Sequence, residues 1–293
     1  MTSRRKFIQC ASATLIYGAA FSRDLTAYAE TLKLPLGIQL YSVREQLAKD
    51  YDGTLNEVGS LGYRQVEAAG FYKKSSAEVA QAMKKANLKC VSGHYGMPAL
   101  LKELDQTIEF SKVIGAGYII CASTGKRDPS RPGPMVLDDW RWAADQFNEI
   151  GKKVKAAGLQ FGYHNHVREF AETEGSVPYH VLLEKTDPSA VTFELDCGWA
   201  VVAGQKPVEL LHDHASRISM LHVKDFKITP GAPAEGEHKV TELGMGSIDY
   251  RPIFEEAAKA KRIKHVFVEQ EAFDMPWIDS LKVDRDYMRK LMR

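Results

Sequence analysis

VTFELDC, residues 191–197, is a β-rich apolar run that ends on a carboxylate, Asp196. The same design recurs in FGYHNH (161–166) with His164, in ISMLHVKDF (218–226) with His222 and in HVFVEQE (265–271) with Glu269. Such runs, separated by helix-length segments, are expected as parallel strands of an α/β protein, where side chains at the C-terminal strand ends converge on one mouth. Two imidazoles and two carboxylates at one mouth have the donor set of a divalent-metal site.

Outward from these runs the chain keeps the same alternation. Strands are expected at 34–41, 64–69, 89–95, 118–123, 160–166, 191–197, 218–226 and 265–271. Between them lie helical patterns at 76–87, 98–114, 137–157, 207–217 and 250–261, with Gly62, Gly115 and Gly158 placed as helix C-caps. Eight strand–helix units predict a single-domain α/β (β/α)8 TIM barrel over residues 30–293; a doubly wound open sheet is the alternative with the same local pattern. Neither a Walker-type G-x-x-x-x-G-K-[ST] nor a dinucleotide G-x-G-x-x-G after the first strand is present. The longest loop, 227–243, is either a plain connection ending in the Gly244-Met245-Gly246 turn or a flap over the mouth.

The first 29 residues read as a leader. Ser3-Arg4-Arg5-Lys6-Phe7-Ile8 resembles a twin-arginine export signal, an uncharged stretch follows to Ser22, and Ala27-Tyr28-Ala29 offers a cleavage site. The expected mature protein is therefore periplasmic, and no later stretch is apolar and long enough to span a membrane. It carries 35 Lys plus Arg against 37 Asp plus Glu, which argues against nucleic acid as a partner. Its three cysteines, Cys90, Cys121 and Cys197, all fall in expected strands, an odd number that argues against a disulfide framework. Oligomeric state is not legible.

Side chains alternate along a strand, so His164 and His166 are expected on one face, as are Glu194 and Asp196, His222 and Lys224, and Glu269 and Glu271. A barrel interior is ordinarily apolar. Charged residues directed into it need partners or a metal, since an isolated buried carboxylate is very costly. The bland alternative, that each polar residue merely caps a strand end, has to hold on four strands at once.

Beyond this pattern, the stretches LGIQLYSVR (36–44), GYRQVEAAG (62–70), SGHYG (92–96), GYHNHVREF (162–170), ELDCGWA (194–200), LHVKDF (221–226), LGMGSIDY (243–250) and VEQE (268–271) resemble the xylose-isomerase-like TIM-barrel superfamily, the group of sugar isomerases, epimerases and endonuclease IV. The resemblance implies one divalent metal (Mn, Zn, Co, Fe or Mg) held by Glu, Asp, His and Glu from strands five to eight. Carried over, these are His164, Asp196, His222 and Glu269, with His in place of the first Glu. A register two residues on would make His166 the ligand instead.

The expected chemistry is proton abstraction next to a sugar carbonyl, with Glu269 or His166 moving the proton and Lys224 neutralising charge, binding a substrate oxygen or simply reaching water from a strand end. Glu67 and His94 match substrate-contacting positions, and Trp199 and Tyr41 offer apolar faces to a sugar ring. The loss of one glutamate from a symmetric acid/base pair puts two-carboxylate epimerisation in question. The expected activity is a metal-dependent isomerase or epimerase acting on an unphosphorylated sugar or keto-sugar. A 3-keto-glycoside lyase using the same site and a non-catalytic periplasmic sugar-binding protein are the alternatives, and an endonuclease IV-like phosphodiesterase fits the net charge poorly.

Overall fold

In the computed structural model, which describes residues 32–229, 231–233 and 238–292, the eight expected runs pair into one closed parallel barrel. Its strands are β1 (Gly37–Gln39), β2 (Gln65–Ala68), β3 (Lys89–Gly96), β4 (Tyr118–Ser123), β5 (Gln160–His164), β6 (Val191–Asp196), β7 (Ile218–Val223) and β10 (His265–Val268). Their order around the barrel, β1-β10-β7-β6-β5-β4-β3-β2, closes by pairing of β1 with β10, so the open sheet is excluded. The leader segment lies outside the described residues, and no described helix is long and apolar enough to cross a membrane.

The helices form where the 3.6-residue pattern placed them, at Ser76–Lys85, Met97–Ile114, Leu137–Ala156, Pro207–His214 and Arg251–Lys259. Their ends follow local chemistry. Ser75 and Glu78 make a reciprocal capping box at the start of the first, and Gly115 ends the second with φ 77°, a left-handed conformation that favours glycine. The outer faces of the strands and the inner faces of the helices share one large apolar core. Within the barrel, Val91, Ile120, Met220 and Phe267 form a separate buried cluster. Met220 and His222 share strand parity, as do Phe267 and Glu269, so an apolar plug lies directly beneath a polar crown.

Several expected strands are shorter than their apolar runs, and for β5 and β7 side chains explain the early stop. Beyond β5, the Asn165 amide replaces the next rung: its Nδ2 donates to the Asp196 carbonyl (3.2 Å) and its Oδ1 accepts from the Asp196 N–H (3.0 Å). Beyond β7, the Tyr250 hydroxyl accepts from the Lys224 N–H (2.9 Å) and donates to the Lys224 carbonyl (2.6 Å), taking both backbone groups out of the barrel ladder. The chain then turns off into a hairpin of β8 (Asp225–Lys227) and β9 (Lys239–Thr241), so the 227–243 connection contains an antiparallel arm. Cys90, Cys121 and Cys197 are buried and free.

Candidate metal centre

Asp196 closes β6 and caps the helix Cys197–Val202, its Oδ1 accepting from the Trp199 N–H at 2.7 Å. This fixes the carboxylate and leaves Oδ2, which is buried and accepts no hydrogen bond. Oδ2 stands 4.0 Å from His164 Nε2, 4.0 Å from His222 Nδ1 and 3.4 Å from Lys224 Nζ. Glu269, at the end of β10, brings its Oε2 to 3.1 Å from the same His222 Nδ1. His164, Asp196, His222 and Glu269 thus offer four ligand atoms all within 4.8 Å of one another. That spread is close to the span of roughly 4 Å across an ion with bonds of about 2.0–2.2 Å.

The donor set fits a divalent cation: an ionisable carboxylate oxygen with no donor, deep in the protein, is what such an ion would satisfy. Two imidazole nitrogens and two carboxylates suit several first-row ions. Of the two registers open on strand five, the structure brings His164 into the cluster. His166 lies past the strand end, where its N–H donates to Glu169 Oε2 (3.0 Å) and its ring centroid sits 4.8 Å from that of His164 and 6.2 Å from that of Trp199.

Lys224, two residues beyond His222, reaches the crown from the backbone position that Tyr250 clasps. Gly198 holds its backbone close, since a Cβ there would stand 2.6 Å from the Lys224 carbonyl. Its ammonium lies 2.9 Å from Glu269 Oε2 and 2.5 Å from Glu271 Oε1, and 4.9 Å from the centre of the Trp199 ring. Glu271, 28% exposed at the side chain, is the outermost member of this group.

A second polar group adjoins the crown, and sequence reasoning placed its members only in part. Glu67 and His94, expected at the substrate, both belong to it: Glu67 is wholly buried, its Oε2 accepting from Gln39 Nε2 (2.9 Å) and contacting His222 Nε2 (2.7 Å) and His94 Nε2 (2.9 Å). Glu194, not singled out as a site residue, brings its Oε2 to 2.7 Å from His94 Nε2, 3.1 Å from His164 Nδ1 and 3.3 Å from His222 Nε2. Its signal was its parity with Asp196; the register adds that it sits directly opposite His164. Trp199 is half-buried beside Lys224 and His166, whereas Tyr41 is 42% exposed, its ring under the Arg44 guanidinium at 4.3 Å.

Burial and mutual charge shift the titration of nearly every group. Burial alone would raise the Glu269 carboxyl, but the Lys224 ammonium and His222 outweigh it and hold it well below the usual range. Burial and the neighbouring Glu67 charge oppose ionisation of Glu194, yet the imidazoles hold it at about 2. His94 is pushed up to about 9, its two carboxylates overcoming burial, and His222 is likewise raised. Lys224 is raised by Glu269, Asp196 and Glu271 against the effect of burial. Burial, then the nearby His222, pushes His164 well down; burial also lowers His166 and raises Asp196. The crown is therefore a dense set of balanced charges that a divalent cation can enter in exchange for protons.

Comparisons with known proteins bear on the family and the fold. A family model described as a xylose isomerase-like TIM barrel matches residues 55–291. An inosose dehydratase of Lacticaseibacillus casei is 24% identical over 249 residues, covering 75% of this chain and 82% of its own length. A solved sugar phosphate isomerase/epimerase from Parabacteroides distasonis superposes with a TM-score of 0.73 at 26% identity, covering 89% of this chain and 100% of the other. A xylose isomerase-like TIM barrel protein from Mycobacterium smegmatis, solved in complex with magnesium, has a TM-score of 0.67 at 13% identity, covering 90% of this chain and 98% of its own; at that identity the likeness is one of fold.

Proposed function

The chain belongs to the xylose isomerase-like TIM barrel family, and on that premise we propose that it is a metal-dependent enzyme that removes a proton next to the carbonyl of an unphosphorylated sugar or keto-sugar. The observation that carries this reading is the donorless Asp196 Oδ2 facing two imidazole nitrogens, with Glu269 and Lys224 beside it. His164, Asp196, His222 and Glu269 would hold the ion. When bound, a divalent cation supplies Lewis-acid polarisation of a carbonyl and its neighbouring hydroxyl.

The chain's own residues supply the rest. Glu269, ionised and only 6% exposed, is placed to take the proton from carbon. Lys224 keeps that carboxylate charged and stabilises negative charge developing at the mouth. His166, neutral at pH 7 because burial lowers it, stands beside His164 as the second group able to pass a proton. Trp199 presents a ring face on the Lys224 side of the crown, suited to the apolar face of a sugar.

One proton removal has two outcomes. Elimination from a 3-keto-glycoside breaks C2–H and the bond from C1 to its substituent and forms a C1–C2 double bond; the proton goes to the base, and the departing group takes one up. Replacement of a strand-five carboxylate by His164, whose Nδ1 faces Glu194, leaves Glu269 without a like partner and favours elimination, in keeping with the dehydratase names of the curated relatives. Return of the proton, giving isomerisation or epimerisation, is the second reading, favoured by the name of the Parabacteroides structure.

We place the enzyme in the periplasm on the strength of the Arg4-Arg5 leader. The test is a product screen by NMR in D2O, in which purified, metal-loaded protein meets free sugars and 3-keto-glycosides, with and without a chelator. Turnover that the chelator abolishes and added metal restores is expected. A protein that binds these sugars without metal and without turnover is the non-catalytic binding protein instead.

A further inference from the structure

The two imidazoles of the crown have their outer nitrogens toward Asp196 and Glu269 and their inner nitrogens on buried carboxylates. His222 presents Nδ1 outward (3.1 Å from Glu269 Oε2) and Nε2 inward (2.7 Å from Glu67 Oε2). His164 presents Nε2 outward (4.0 Å from Asp196 Oδ2) and Nδ1 inward (3.1 Å from Glu194 Oε2). The two rings therefore use opposite nitrogens for the same task. A neutral imidazole carries one N–H and one lone pair; His164 meets a carboxylate at hydrogen-bond distance only through its inner Nδ1, and His222, which meets one at each nitrogen, makes the shorter contact through its inner Nε2.

We propose that Glu67 and Glu194 are positioning residues that fix His222 as its Nε2–H tautomer and His164 as its Nδ1–H tautomer, so that Nδ1 of the one and Nε2 of the other are the metal-binding atoms. His94 joins the two carboxylates from the side: its Nε2 lies 2.9 Å from Glu67 Oε2 and 2.7 Å from Glu194 Oε2, and its ring stacks on that of His222 with centroids 5.3 Å apart and planes 9° from parallel. Gln39 adds a fourth hydrogen-bonding group, donating to Glu67 at 2.9 Å. The floor of the site is thus a hydrogen-bonded layer whose oxygens aim both crown imidazoles. Carboxylates behind metal-bound histidines act this way in general, and losing one typically costs 10- to 100-fold in metal affinity.

The adjoining group formed by His94, His164, Glu194 and His222 has its own metal-like spacing, with ligand atoms within 4.8 Å of one another. The nitrogens that face Glu194 Oε2 are His164 Nδ1 (3.1 Å) and His222 Nε2 (3.3 Å), so an ion bound beside Glu194 through them predicts the opposite tautomers. The proposal rests on the crown being the metal site, and the experiment separates the two claims.

Protein labelled with 15N-histidine is loaded with zinc, and two-bond ring correlations are recorded by NMR. The expected result is zinc on Nδ1 of His222 and Nε2 of His164, with Nε2–H and Nδ1–H retained on the inner side. Zinc on the inner nitrogens overturns the proposal. Glu194→Gln and Glu67→Ala should weaken zinc binding about 10- to 100-fold, measured by chelator competition, with Glu67→Gln recovering part of the loss, while one ion per chain still binds at saturation. Parent affinity in all three overturns the positioning role while leaving the crown site standing. Full zinc retention in Asp196→Ala overturns the crown site itself.

Discussion

Asp196 and His222 are Cα partners across β6 and β7, yet their facing polar atoms, Oδ2 and Nδ1, stand 4.0 Å apart with no hydrogen bond between them. Neighbouring strands bring the pair together, the cap on Trp199 N fixes the carboxylate, and Glu67 fixes the ring from behind. Two opposite-sign partners in a fully buried setting ordinarily close to hydrogen-bond distance, and a gap of this size is the spacing of two ligands around a shared ion.

His222→Ala and Asp196→Ala should each strongly lower bound divalent metal, since each deletes one of four ligands. Elemental analysis of purified variants measures this, and two variants as metal-rich as the parent would refute the assignment. The affinity should also depend on pH. His222 is raised well above the ordinary histidine value, so metal displaces a proton, and affinity should climb about tenfold per pH unit while that proton remains.

Asp284 offers a stability test away from the crown. It lies in the helix Trp277–Leu291, accepts from the Leu243 N–H at 2.7 Å through Oδ1, and has no partner at Oδ2. Burial first, with Glu242 and Asp225 adding, pushes it up to about 7. The folded state holds the proton more tightly than the unfolded chain, where Asp titrates near 3.8. This contribution is whole below about pH 4 and shrinks by about 1.4 kcal/mol for each pH unit up to about 7. Asp284→Asn should flatten that part of the profile in urea denaturation; an unchanged slope would contradict the assignment.

The barrel was legible in the chain because eight apolar runs spaced by amphipathic segments leave few architectures open. The four crown positions were legible because each ends such a run. What local pattern could not show was where the strands stop. The Asn165 amide and the Tyr250 hydroxyl end β5 and β7 through contacts 31 and 26 residues away. Period-2 reasoning therefore put His166 on the His164 face of a strand that has already ended. Glu194 was hidden for another reason: on paper it is one more alternating residue before Asp196, and only the register across β5 and β6 sets it against His164.

Export can be tested independently of the site. Arg4→Lys with Arg5→Lys should leave uncleaved protein in the cytoplasm, because the arginine pair is the address read by the transport receptor. Fractionation followed by immunoblotting checks this, and normal periplasmic accumulation of the double variant would refute it.

The most direct measurement follows the carbon-bound hydrogen next to the substrate carbonyl. During turnover in D2O by the metal-loaded parent, NMR should show this C–H bond broken, with deuterium incorporated wherever a proton is returned. Glu269→Gln keeps an oxygen for the ion but lacks a basic carboxylate, so it should retain metal while losing on the order of 10² to 10⁴ in rate, and C–H cleavage should fall with it. Metal content is read on the same samples, which separates a lost base from a lost ion. A metal-bound Glu269→Gln of parent activity would remove the base, and turnover by the parent without any C–H cleavage would contradict the account at its centre.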